Sequence, residues 1–142
     1  MKIVQVIGSP CSGKSTFLRR FVSENPQWKL FDIVDYRYSS EEWLVAENYL
    51  IKDILYKEYP YVIIESAQGL HELNALNIEF YCDIQTLIKR HQKRGLEVTD
   101  EDLQRYSILK MIGIKPQFTI DTSENISYEH LASKFFKVIH GI

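Results

Sequence analysis

Residues 8–16 read GSPCSGKST, Gly8 to Thr16, and they decide the fold. An apolar run, IVQVI at 3–7, leads in, and FLRRF at 17–21 follows. Gly8, Gly13, Lys14 and Ser15 fit the pattern G-x-x-x-x-G-K-[ST]. The two glycines allow backbone angles that other residues resist, so successive N–H groups can turn inward around an anion. A helix beginning near Ser15 adds its positive end. Lys14 places a cation against the outer phosphates of a nucleotide. The Ser15 hydroxyl suits Mg²⁺, and Thr16 supports it. The stretch therefore predicts a strand, an anion-binding loop of residues Gly8, Ser9, Pro10, Cys11, Ser12, Gly13, Lys14, Ser15 and Thr16, and a helix.

Outward from this loop, strands and helices alternate. WKLFDIV (28–34), YVIIE (61–65), IEFYC (78–82) and QFTID (117–121) read as further strands. Helices are expected at 15–21, about 40–56, 84–94, from the Thr99–Asp102 start to about 112, and at 127–139, with a short one at LHELNAL (70–76). Ser39 with Glu42, Asp83, and Thr99 with Asp102 supply start signals, while Pro26, Pro60 and Gly95 supply stops. This rhythm predicts a three-layer α/β fold, about five parallel strands with helices on both faces. Ligands of such sheets bind beyond the carboxyl ends of the strands. The polar residues Gly8, Asp35, Glu65, Asp83 and Asp121 fall at those ends.

At 142 residues the chain suits one domain, 1–142, with residues 95–112 as a short lid region. A net charge of −2 argues against a protein built mainly to coat nucleic acid. The two cysteines, Cys11 and Cys82, make no disulfide framework, and Cys11 lies in the loop itself. A reducing, cytoplasmic setting away from membranes is expected, since no segment approaches membrane-span length. The GTPase class is excluded because no N-K-x-D motif or suitably placed D-x-x-G is present.

The segments VIGSPCSGKSTFLRRF, VDYR, YVIIE and LIKRHQKRG together resemble the kinase domain of the bacteriophage 5′-hydroxyl polynucleotide kinase and related small P-loop kinases. FTIDTSENISYEHL is similar to the last strand, loop and helix of many nucleoside, nucleotide and metabolite kinases. The resemblance implies an ATP- and Mg²⁺-dependent phosphotransferase acting on a nucleoside, a nucleotide or a 5′-hydroxyl polynucleotide end. It implies a catalytic aspartate after strand two. Aligned without gaps from the loop, that position is Val34 and its acidic neighbour is Asp35. Three routes stay open: Asp35 acts as base, Glu65 does, or the acceptor is a phosphate that needs none. The resemblance also implies that Arg37 holds a substrate phosphate. Ser15, by the loop motif, and Glu65, the acid ending the third strand beside the loop, are the candidates to serve the metal, although the family's acid falls one place later, on Ser66. Arg90 or Arg94, on one helical face at i, i+4, would meet the transferring phosphate. Arg105 would be a further lid arginine. The competing reading is a nucleotide-binding regulatory module or slow ATPase without an acceptor.

Overall fold

The computed structural model describes residues 1–8, 12–36, 42–67, 69–70, 73–104, 114–123 and 126–140, apart from the side chain of Trp43. In chain order the elements are β1 (Lys2–Ile7), α1 (Lys14–Glu24), β2 (Trp28–Asp32), a 3₁₀ turn (Ile33–Tyr36) and α2 (Trp43–Lys57). They continue with β3 (Tyr61–Ser66), β4 (Leu76–Tyr81), α3 (Ile84–Lys93), β5 (Phe118–Asp121) and α4 (Tyr128–His140). Helical residues 100–104 lie between α3 and β5.

The strands form one parallel sheet in the order β2-β3-β1-β4-β5. The most apolar strands, β1 and β3, lie inside it, as burial on both faces requires. Between β3 and β4 the chain crosses from one side of β1 to the other, which opens a crevice at the strand ends. One core joins Val4, Val6, Ile63, Ile78 and Ile120 of the sheet to Phe17, Leu18 and Phe21 of α1 and to Leu131, Phe135 and Ile139 of α4. A second joins Phe31, Val62 and Ile64 to Ala46, Leu50 and Ile54 of α2. Helices therefore cover both faces, giving the expected three layers.

Local chemistry explains the boundaries. Asp83 caps α3 by accepting from the Thr86 N–H at 2.8 Å. Gly95, at φ 75°, follows its end. Thr99 and Asp102 bond reciprocally, side chain to backbone N–H, at 3.1 and 3.2 Å, which opens the helix at 100–104. The Ser127 hydroxyl accepts from the His130 N–H at the start of α4.

Three expectations are corrected. The strand WKLFDIV stops at Asp32, because the Asp32 carboxylate accepts from the Val34 N–H at 3.0 Å and bends the chain into the 3₁₀ turn. Asp35 thus lies one turn beyond the strand end. No helix forms at residues 70 and 73–75, described within LHELNAL. Gln5 accepts from the Leu70 N–H and donates to its carbonyl, so local helical bonding loses to the sheet. β4 starts two residues earlier than expected, at Leu76, where Asn77 and Gln117 bond each other. Ser39 and Ser40, and the expected lid beyond residue 104 up to 113, lie outside the described residues.

Candidate functional site

The end of β1 and the start of α1 are held close to β4. A Cβ placed on Gly8, whose φ is 157°, would stand 2.5 Å from the Phe80 carbonyl oxygen. Only glycine lets the loop leave the sheet this tightly. Gly13 caps α1 in the left-handed conformation, at φ 89°. Ser9, Pro10 and Cys11, between them, lie outside the described residues. Ser12 is buried and its hydroxyl has no hydrogen-bond partner among the described residues.

A cavity of about 290 Å³ opens at the carboxyl ends of β2 and β3. Gly13, Lys14, Ser15 and Thr16 line one side of it. Asp32, Ile33 and Val34 come from the end of β2, and Glu65, Ser66 and Ala67 from the end of β3. Arg94 reaches it from the end of α3. The parallel register pairs Asp32 with Glu65, so two carboxylates face the loop from neighbouring strands.

Glu65 is 4% exposed and accepts a hydrogen bond from the Ser15 hydroxyl. Burial pushes its carboxyl above the ordinary value, and the nearby Asp32 charge adds to this. The Ser15 bond, Lys14 and Arg19 pull the other way. A hydroxyl and two carboxylates are hard oxygen donors that fit Mg²⁺, an ion that keeps several waters and takes few protein ligands. No group of three His, Cys, Asp or Glu suited to a metal occurs among the described residues.

The structure separates the expected site residues. Lys14, Ser15, Thr16, Gly13, Glu65 and Arg94 meet at the cavity, whereas Asp35 is exposed and does not line it. Asp32 and the exposed Val34 occupy the place expected for Asp35. Arg90 also departs from its expected place. Its guanidinium donates to the Thr122 carbonyl and, at 3.3 Å, to the Cys82 sulfur, beside the end of β5. The i, i+4 argument fails because α3 ends at Lys93, and Arg94, its C-cap, leaves the helical path at ψ 3°. Arg37 and Arg105 lie outside the described residues. Sequence reasoning misses Asp32. Its signal is an aspartate two residues before Val34, the spacing of a side-chain-to-backbone turn.

No family model matches the chain, and no curated protein matches it. Solved structures do. A sugar kinase from Janibacter sp. HTCC2649 superposes with a TM-score of 0.74 at 14% identity, covering 99% of this chain and 95% of its own. Shikimate kinase from Aquifex aeolicus vf5 gives 0.65 at 16%, covering 98% and 96%. The YorR protein of Bacillus subtilis, solved with phosphorylated GDP, gives 0.63 at 15%, covering 98% and 96%. At these identities the likeness is one of fold, and this chain has the three-layer P-loop fold that those kinases share.

Proposed function

We propose that this chain is an ATP- and Mg²⁺-dependent phosphotransferase whose acceptor is a nucleoside, a nucleotide or another small hydroxylated metabolite. The observation that carries the reading is the meeting of Lys14, Ser15, Asp32, Glu65 and Arg94 around one cavity at the carboxyl edge of the sheet. The loop N–H groups and Lys14 would hold the donor phosphates. Ser15 and Glu65 would hold Mg²⁺, which supplies charge neutralisation at the phosphates when bound. Asp32 has one oxygen engaged by the Val34 N–H, which orients the carboxylate. Its second oxygen would accept the proton of an acceptor hydroxyl. Arg94 would stabilise charge on the transferring group from the facing wall.

The kinase names of the structural neighbours support a phosphotransferase and leave the acceptor open. The test is a transfer screen with γ-labelled ATP over nucleosides, nucleoside monophosphates, small sugars and hydroxy acids, and 5′-hydroxyl oligonucleotides. Label on one acceptor class and not the rest is the expected result. The oligonucleotide arm tests the resemblance to the phage kinase. A second reading, a nucleotide-binding module or slow ATPase, is favoured by Val34, an aliphatic side chain at the cavity lip. ATP binding with no transfer to any acceptor class would select it.

A further inference from the structure

The turn after β5 is tied to the phosphate loop across 110 positions of sequence. The buried Thr122 hydroxyl donates to the Ser12 carbonyl at 2.6 Å, with a longer contact of 3.0 Å to the Tyr81 carbonyl. Its own N–H donates to the Tyr81 carbonyl at 2.7 Å, and its carbonyl accepts from Arg90. Thr122 is thus held through its backbone on two sides, while its side chain holds the loop. The residue that follows Ser12 is Gly13, which lines the cavity and caps α1.

A trans peptide points its C=O and its N–H in opposite directions. Fixing the Ser12 carbonyl therefore also fixes the Gly13 N–H. Gly13, at φ 89°, meets no atom of the described residues, its chain neighbours and its own helix aside, within 4 Å of the point where a Cβ would stand, so among them little packing holds that plane. We infer that Thr122 is a positioning residue whose hydroxyl sets the Ser12–Gly13 peptide plane, so that the Gly13 N–H is presented to a donor phosphate. This rests on the nucleotide reading of the loop. The same residue receives Arg90 of α3, the helix whose C-cap is Arg94, so the loop and the cavity-lining arginine share one anchor.

The test uses the full chain with three variants, Thr122→Val, Thr122→Ala and Thr122→Ser. ADP with Mg²⁺ is titrated by calorimetry, and the Gly13 amide is followed by NMR in the ligand-free protein. Loss of one buried hydrogen bond to the loop should weaken ADP binding about tenfold in Thr122→Val. The Gly13 amide should shift or broaden in that variant, and Thr122→Ser should restore both readouts. Wild-type ADP affinity in Thr122→Val, an unmoved Gly13 amide, or a Thr122→Ser variant as weak as Thr122→Val would each overturn the inference. Unfolding of both Thr122→Val and Thr122→Ala would overturn it too, making the hydroxyl a requirement of the fold. If the wild-type chain binds no ADP, the nucleotide reading fails. The amide comparison, which needs no ligand, then decides the tie by itself.

Discussion

Glu65 carries a conflict between folding and chemistry. Burial raises its carboxyl above the ordinary 4.5, so the folded chain holds this proton to higher pH than the unfolded chain does. The stability that follows is full below about 4.5 and is lost as pH rises through the folded value. Ionised, Glu65 therefore weakens the fold. Glu65→Gln keeps the shape and can still accept from Ser15, yet carries no charge. It should melt higher than wild type at neutral pH, and the gap should close as pH falls toward 4.5, as read by thermal unfolding across that range. Transfer activity should fall in the same variant, the trade expected where a site holds a costly charge. A constant gap at all pH values would refute the account. The two aspartates at the end of β2 and in the 3₁₀ turn separate in a similar way. Asp32→Asn should lower kcat by about 10²–10⁴ if the acceptor is a hydroxyl. Asp35→Asn, exposed and off the cavity, should leave kcat near wild type. Steady-state rates on the acceptor found by the screen decide this, and a small loss in both variants would point to a phosphate acceptor.

The helix α3 places two arginines differently, and that difference is measurable. Arg94 lines the cavity, so Arg94→Ala should lower kcat by about 10² or more with the unfolding midpoint little changed. Arg90 bonds the end of β5, so Arg90→Ala should cost about 1.5–3 kcal/mol in denaturant unfolding, the range for a hydrogen bond to a charged group. Equal effects of the two on kcat, with no loss of stability in Arg90→Ala, would contradict this division. The same helix shows what a sequence can express. Its start is legible because Asp83 caps through its own side chain, a local event. So are β1, β3, β5 and α4, whose patterns are short-range. The parallel sheet with helices on both faces follows from the βα rhythm. The direction of Arg90 is not legible, because it is set by Thr122, 32 residues away. The end of β2 is lost for the opposite reason. WKLFDIV is apolar enough to continue as a strand, and one bond from the Val34 N–H to Asp32 stops it. Propensity counts the whole run and does not weigh a single bond. The missing helix at 70–76 is again a long-range effect, since Gln5 competes for the Leu70 backbone from 65 residues away.

The molecule puts its cohesion and its candidate site at different places on one sheet. On one face Phe135 is fully buried, its ring 5.3 Å from Phe17, 4.9 Å from Phe21 and 6.3 Å from Phe80. The cavity lies at the carboxyl edge, among Lys14, Asp32, Glu65 and Arg94. The helix α1 belongs to both, since Lys14 opens it and Phe17 packs one turn later. Phe135→Ala should leave a void and cost about 3–5 kcal/mol. A domain of this size has about 5–15 kcal/mol in all, so the variant should stay folded at 25 °C if wild type lies above the bottom of that range, while melting about 10–17 °C lower. If the loop keeps its geometry, ligand binding should add the same increment to both proteins. At a nucleotide concentration of 100 times Kd that increment is about 2.7 kcal/mol. Wild type and Phe135→Ala should therefore gain equally from MgATP, within about 0.5 kcal/mol, because the two perturbations share no contact. Lys14→Ala should gain little stability from nucleotide, whatever its own midpoint. Denaturant unfolding with and without MgATP measures all three. A gain that shrinks in Phe135→Ala would mean that the packing of Phe17 sets the loop through α1, and that cohesion and chemistry are not separable in this chain.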